Sequence, residues 1–317
     1  MEGEVMEKKK IDLTEIMGRF GNEEAARELI ERLRWPNGPV CPRCGCREIY
    51  RLTPNGNFGN HGRKGLLKCK VCRKQFTVTV GTIFEDSHIP LHKWLMAIYL
   101  ICSSKKGMSA FQLHRMLGIT YKSAWFMGHR IRFAMTQSPL SKKLSSIVEA
   151  DETYVGGKAH GKRGRGAENK TKVFSLIQRD GDTKSFVVDN VRGKTLKKLI
   201  KDNVIETAHV MTDEFKAYNG LKKQVAKHST VEHGKKEYVR GIVHVNFAES
   251  YFSLLKRGIL GTFHHVSKEH MPRYLSEFDF RWNRRDKDDG ESTIEAIQNS
   301  KGKRLMYRDS SSFAGTS

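Results

Sequence analysis

The chain lacks any stretch of about 18 apolar residues, the length that reads as a membrane-spanning helix. Its first residues, MEGEVMEKKK, lack the apolar segment of a signal peptide. Both absences argue against a membrane protein, and a cytoplasmic location close to the nucleoid is the expectation. Acidic residues are scarce: 35 Asp and Glu stand against 57 Lys and Arg, a formal net charge of +22. That balance is too lopsided for an ordinary soluble enzyme of this size and points to a polyanion as partner, nucleic acid before any anionic membrane. Cysteines are also few, six in 317 residues, and four of them fall in two tight pairs. Such pairs suit a reducing compartment in which thiolates bind metal and do not form disulfides. No internal repeat is present.

A chain of this length exceeds the usual single domain, so two or three folding units are expected. Residues 10–34 carry Ile16, Phe20, Ala25, Leu29 and Leu33 at helical spacing and stop at Trp35-Pro36-Asn37-Gly38, which gives a helical prefix over 1–36. Residues 37–85 hold the cysteine pairs between β-rich flanks, Glu48 to Leu52 and Gln75 to Val80. The pattern then turns helical over 86–140, with Trp94, Ile98 and Ile101 on one helix and a Gly118-Ile119-Thr120 turn between two more. Strands follow near Ser146 to Asp151, Val173 to Gln178, Ser185 to Asp189 and His209 to Asp213, with a helix over Thr195 to Asn203. Helices at Phe247 to Gly258 and Lys268 to Trp282 close an α/β unit over 145–286. Residues 287–317, rich in Lys, Asp, Gly and Ser, read as a flexible tail.

Cys41-Pro42-Arg43-Cys44 and Cys69-Lys70-Val71-Cys72 form two C-x-x-C knuckles separated by 24 residues. Each knuckle can offer two thiolates to one tetrahedral zinc, and four thiolates leave no open coordination position. The zinc is therefore expected to be structural, with Cys46 and Cys102 outside its ligand set. In the helical segment, helix, Gly-containing turn and helix make a helix-turn-helix-like arrangement. Lys122, Arg130 and Arg132 are its candidate phosphate contacts, and Tyr121, Ser123 and Trp125 lie near the start of the third helix, where base edges would be read. The apolar residues of that helix would serve equally well as the core of a helical bundle.

Asp151 ends one apolar strand, Asp213 ends another, and Glu249 lies near the start of an amphipathic helix. Acids at element ends can converge on the edge of one sheet, and phosphodiester chemistry needs such a cluster to hold two divalent ions. Hard oxygen ligands suit magnesium or manganese. Glu249 follows Asp213 after 35 residues, and Lys256 follows Glu249 by seven, two helical turns, so a carboxylate and a phosphate-seeking cation share one helix face. Any one of these acids alone would pass for a solvated surface residue.

These residues together resemble the zinc-ribbon-bearing insertion-sequence transposases of the DDE superfamily. The match covers roughly 10–286, through Leu33-Arg34-Trp35-Pro36 and Cys41-Pro42-Arg43-Cys44-Gly45, Glu149 to Gly157, Thr212-Asp213, Asn246 to Lys256, Gly261-Thr262-Phe263-His264 and Phe280 to Arg285. The resemblance implies an RNase H-like catalytic domain preceded by a zinc ribbon and a helix-turn-helix-like segment. It implies metal-dependent cleavage at element ends and strand transfer into target DNA, with Asp151 and Asp213 as the first two metal ligands. Such families carry either Glu or Asn in the third place, and this sequence offers Asn246 and Glu249 one turn apart; Glu249 fits by charge and spacing. The resemblance also assigns Lys256 to a DNA phosphate.

Arg281, Arg284 and Arg285, around Trp282, suggest further backbone contacts. The Gly-rich basic stretch from Gly156 to Thr171 suggests a loop that orders on DNA. Double-stranded DNA, as terminal repeats and as target, is the expected partner, held by a homo-oligomer because two element ends must be brought together. Two other functions fit parts of this pattern. One is a DNA-binding regulator whose α/β domain does no chemistry; the other is an RNase H-fold nuclease without strand transfer.

Overall fold

A computed structural model describes residues 12–52, 64–137, 142–156 and 170–310. Most of the Gly-rich stretch from Gly156 to Thr171 and the last residues of the expected tail lie outside them. The chain divides into two compact units: the described parts of Met1–Ser104, Ala110–Met135 and Lys287–Ser310, and the described parts of Lys105–Ser109 and Thr136–Asp286.

In the first unit the helical prefix is two helices, α1 (Leu13–Phe20) and α2 (Glu23–Arg34). The break has a local cause. Asp12 and Asn22 are each N-caps, their side chains accepting from Glu15 N at 2.8 Å and Ala25 N at 2.9 Å, which satisfies N–H groups the first helical turn leaves free. A small antiparallel sheet follows, β1 (Ile49–Arg51), β2 (Leu67–Cys69) and β3 (Gln75–Phe76), in the order β1-β2-β3. The strand expected over Gln75 to Val80 is only two residues long; Thr77 to Thr82 turn, with Val80 N bonding Thr77 O and Thr82 N bonding Thr79 O.

Helices α3 (Leu91–Ser103), α4 (Ala110–Leu117) and α5 (Tyr121–Met135) come next. The chain then returns to this unit after Asp286 with α9 (Asp289–Gln298). The reading of 287–317 as a flexible tail is corrected for residues 287–310. Asp288 caps α9 through Glu291 N at 2.8 Å, and Ala296 and Ile297 are buried. Helices α1, α2, α3 and α9 meet around Ile16, Leu29, Leu95 and Ile297. One turn's worth of apolar residues, Ile294 to Ile297, was too short a periodic signal to stand out beside the surrounding charge.

The second unit is built on a five-stranded sheet: β4 (Ile147–Val155), β5 (Thr171–Gln178), β6 (Thr183–Val188), β7 (His209–Asp213) and β8 (Lys227–Val231), in the order β6-β5-β4-β7-β8. The β6-β5-β4 side is antiparallel and the β4-β7-β8 side parallel. This is the mixed sheet expected of an RNase H-like domain, with β8 as a strand that the half-buried KHSTV segment did not announce. Alternation along β4 sends Val148 and Ala150 to one face, where they pack with Leu196 and Ile200 of α6 (Gly193–Asn203). Val155 goes to the other face, with Tyr251 and Leu255 of α7 (Asn246–Gly258) and Leu275 and Phe278 of α8 (Met271–Trp282).

A buried carboxylate ties that second layer together. Asp279 of α8 accepts from Ser185 N at 2.8 Å and Ser185 Oγ at 2.7 Å on β6, and from Tyr251 OH at 2.5 Å on α7. Burial pushes its pKa up to about 7 in spite of these three donors. Gly258 at the end of α7 permits close approach: a Cβ there would lie 2.8 Å from the Lys106 carbonyl and 2.3 Å from the Phe278 ring.

Candidate active site and metal centre

The four cysteines of the two knuckles come together in the first unit. Cys41 opens a tight turn, with Gly45 N bonding Cys41 O at 3.0 Å and Cys41 N bonding Cys46 O at 2.9 Å. Cys69 ends β2 and Cys72 lies in the turn that leads to β3, closed by Cys69 N to Lys74 O at 3.1 Å. The Sγ atoms of Cys41 and Cys72 are 3.6 Å apart, as are those of Cys44 and Cys69, and all four lie within 4.8 Å of one another. A disulfide would hold two sulfurs at about 2.05 Å. Tetrahedral zinc with bonds of about 2.3 Å separates its sulfurs by about 3.8 Å, so the donor set fits that ion. The backbone N–H of Cys72 leads the causes that bring the Cys69 thiol down to about 7, and Cys41 is lowered as well, whereas Cys44, despite the backbone N–H of Cys46, is raised to about 12 by burial and the neighbouring sulfurs; the fit to zinc rests on the sulfur geometry. Cys46 stands apart, accepting from Glu48 N at 3.2 Å.

In the second unit, β4 and β7 pair in parallel with Val148 beside Val210 and Glu149 beside Met211. Two residues further along the same register, Asp151 and Asp213 stand abreast at the C-terminal end of β7. Val148, Ala150 and Val210 face α6, so the alternate residues Asp151 and Asp213 project on the side of α7. Glu249 is in the first turn of α7, exposed, and Asn246 is the first residue of that helix. Burial is the main cause that holds the Asp151 carboxyl well above its ordinary range, followed by the charges of Glu152 and Asp213, with Glu249 adding to them. A cluster of carboxylates that raises one member in this way is short of positive charge, and oxygen-only donors of this kind fit a hard divalent cation. Glu152, the next residue along β4, accepts from Tyr218 OH at 2.7 Å.

Lys256 is exposed and lies two turns beyond Glu249 on α7, whose buried face is Ala248, Tyr251, Phe252 and Leu255. Asn246, Glu249, Ser253 and Lys256 therefore share its solvent stripe. A cleft of about 250 Å³ in the same unit is lined by Lys170, Lys172, His265 and Lys268.

A residue to which the sequence reading gave no role does the positioning. Glu149, fully buried on β4, accepts from Phe247 N at 2.9 Å and Ala248 N at 3.2 Å. Val245, the N-cap of α7, offers no side-chain bond, so the carboxylate of the neighbouring strand caps this helix and faces the positive end of its dipole. The charge is balanced by Arg179, whose Nε lies 2.8 Å and Nη2 2.7 Å from Glu149 Oε1. Arg179 in turn donates to His244 Nδ1 at 2.9 Å and Ile242 O at 2.7 Å. The signal was present in the sequence as an acid at an inward position of an otherwise apolar strand, Ile147-Val148-Glu149-Ala150.

Several expected DNA contacts are corrected. Arg130 and Arg132 are 4% and 3% exposed. The Arg130 guanidinium lies over the rings of Trp94, at 5.4 Å, and Phe126, at 5.3 Å, and donates to Glu85 O. Arg132 lies in the same continuously buried stretch of α5, Met127 to Arg132, so neither arginine is offered to DNA. Lys122 is exposed, its Nζ 4.8 Å from the centre of the Tyr307 ring, and Tyr121 beside it is 53% exposed. Arg281 is paired with buried Glu277 and lies over Phe278. Arg284 is held over Phe280 at 3.7 Å, and of the three C-terminal arginines Arg285 is the exposed one. Trp282 packs edge-on against Tyr251 at 5.5 Å.

Comparison with known proteins accords with this arrangement. The profile of the ISXO2-like transposase domain matches residues 143–283, and that of the transposase zinc-ribbon domain matches residues 21–75. An uncharacterized protein in transposable element ISH50 of Halobacterium salinarum is 32% identical over 280 residues, 83% of this chain and 91% of the relative. An uncharacterized transposase-like protein of Haemophilus influenzae is 29% identical over 99 residues, 31% of this chain and 79% of that protein. The mixed five-stranded sheet, the four-cysteine ribbon and a relative matched almost end to end lead to one assignment: the chain belongs to the IS1595 family of ISXO2-like insertion-sequence transposases.

Proposed function

We propose that the protein cuts DNA at the ends of its insertion sequence and joins the freed 3′ ends to target DNA, at a site where Asp151, Asp213 and Glu249 hold magnesium or manganese. The observation that carries the reading is the placement of Asp151 and Asp213 abreast on parallel strands, facing the helix that bears Glu249. Divalent ions, when bound, supply the charge that activates a water or a 3′-hydroxyl and stabilises the leaving oxygen. Asp151 and Asp213 present carboxylate oxygens from the rigid sheet. Glu249 completes the set from α7, which Glu149 anchors to β4, and Asn246 one turn earlier contacts substrate or lends a neutral oxygen. Lys256, on the same stripe as Glu249, pairs with a DNA phosphate. Lys170 and Lys172 add positive charge in the cleft of the same unit, where Lys268 pairs with Asp189 at 2.6 Å.

The zinc ribbon, held by Cys41, Cys44, Cys69 and Cys72, stiffens the first unit, and Tyr121 and Lys122 at the exposed start of α5 meet the terminal repeats. Two such chains hold two element ends. The test uses purified protein and labelled DNA carrying the ends of the element, with manganese or with EDTA. Metal-dependent nicking at the 3′ ends and joining to a second duplex, both lost in Asp151→Asn and Asp213→Asn, are expected. Nicking without joining would make the protein a nuclease, and specific binding without nicking a regulator.

A further inference from the structure

The segment between β8 and α7, Glu232 to Val245, presents apolar side chains to solvent: Tyr238 is 57% exposed, Val239 52% and Ile242 57%. A loop free to move would not need anchoring, yet this one is tied at several points. Glu214, the residue after Asp213, accepts from His233 N at 2.8 Å and Gly234 N at 3.1 Å. Arg240 N bonds Val243 O at 2.9 Å, Val243 N bonds Arg240 O at 3.0 Å, and the Arg240 guanidinium reaches back to Thr230 O at 3.0 Å. The turn between them uses Gly241 at φ +60, a conformation glycine adopts at little cost. The far end is held by Arg179, which bonds Ile242 O and the buried Glu149.

The strap is thus fastened to both sides of the carboxylate site, through the neighbour of Asp213 and through the residue that anchors the helix of Glu249. Between these anchors Tyr238, Val239 and Ile242 are its exposed apolar side chains. Of the basic residues of the strap Lys235 pairs with Glu232 at 2.5 Å and Arg240 with Glu237 at 3.4 Å, Lys236 is exposed, and the chain as a whole carries +22, so the partner is a polyanion that also offers flat apolar faces. The faces of nucleic-acid bases have that character, and they are open to an aromatic ring only where the strand is unpaired. The Tyr238 ring is already oriented by His233, centroid to centroid 5.2 Å.

We propose that this strap is a binding site for unpaired bases, with Tyr238 stacking on a base of the DNA strand next to the bond being cut. The inference rests on the proposed enzymatic function and deepens it. It requires that the duplex be opened beside the carboxylates and that Tyr238 hold the opened strand there.

The experiment follows binding of full-length protein in EDTA to a forked duplex carrying 2-aminopurine in its unpaired arm, with the fully paired duplex as control. Wild type is expected to bind the fork more tightly than the paired duplex and to quench the 2-aminopurine. Tyr238→Ala is expected to lose about tenfold in affinity for the fork, the 1.4 kcal/mol within reach of one stacked base, with little change on paired DNA. Tyr238→Trp restores both affinity and quenching. The proposal is overturned if Tyr238→Ala, and the triple variant with Val239→Ser and Ile242→Ser, bind and quench like wild type. It is equally overturned if those variants abolish self-association in sedimentation while fork binding persists, which would assign the face to a second copy. Nicking in manganese is read in parallel. Wild-type nicking with unchanged fork binding in the variants sinks the strap alone, whereas fork binding by wild type without nicking sinks the enzymatic reading.

Discussion

The Glu149 carboxylate on β4 accepts the backbone N–H of Phe247 at 2.9 Å, so the first turn of α7 is held by the strand that carries Asp151. Two elements separated by 98 positions in sequence are fixed to each other at the point where their acids meet. The helix obtains from a distant residue the cap its own N-terminal neighbour does not supply.

Replacing Glu149 by Leu leaves Arg179 buried without its counter-charge and the α7 N–H groups uncapped. Breaking a buried ion pair from one side costs about 3–5 kcal/mol, and urea unfolding of the variant should show a loss of that size. Glu149→Gln, which keeps acceptor oxygen but no charge, should fall between the two. A loss below about 1 kcal/mol in the Leu variant would mean that the contact does little for the fold.

Asp151→Asn should abolish cleavage and yet stabilise the protein in EDTA. The Asp151 carboxyl is held above its ordinary range by burial and by Glu152 and Asp213, so its charged form is a cost of the folded state at neutral pH. Asparagine removes the charge and keeps the oxygen that accepts from Glu152 N at 2.7 Å. A gain on the order of 0.5–2 kcal/mol is expected in thermal melting, and a melting temperature below that of wild type would contradict it.

Asp279 gives the fold a pH dependence of known sign. Its pKa is raised to about 7 in the folded protein, against about 3.9 for an unfolded aspartate. Between these values the folded state holds more protons, so the contribution of Asp279 is complete below the unfolded value and is lost as pH rises through about 7. The stability difference between wild type and Asp279→Asn, followed by urea unfolding from pH 4 to 8, should therefore shift toward the variant as pH rises. A difference independent of pH would show that the carboxyl titrates normally.

One zinc per chain is expected by atomic absorption. Cys41→Ser and Cys69→Ser should each abolish it, whereas Cys46→Ser, outside the cluster of four sulfurs, should leave the stoichiometry unchanged. Chelation should loosen the first unit selectively, read from proteolysis near Trp35, whose ring packs edge-on to Phe76 at 6.1 Å.

Ending the chain after Asp286 should destabilise the first unit. The truncation removes α9, which buries Ala296 and Ile297, and Lys303, whose Nζ donates to Ala134 O at 2.7 Å. Differential scanning calorimetry should show the earlier transition lowered or lost, and an unchanged thermogram would return this segment to the status of a tail.

Local chemistry made much of this protein legible in its sequence. Two C-x-x-C knuckles imply a tetrahedral thiolate site wherever they fold, because the spacing itself lets each pair reach one ion. Period-two and period-3.6 apolar patterns gave β4, β5, β7, α3, α5 and α7, and the basic excess named the class of partner. Asp151 and Asp213 stood out because each follows a largely apolar run, although only Asp213 ends its strand and β4 continues past Asp151 to Val155. Tertiary structure decided what depends on neighbours distant along the chain. It buried Arg130 against Trp94 and Phe126, and Arg132 in the same stretch of α5, since periodicity along one helix does not show which of its turns other elements will cover. It recruited α9 into the first unit, because a short amphipathic helix is worth little until another surface buries it. It made Glu149 the cap of α7, since a strand residue can satisfy a helix terminus only after the chain has brought the two together.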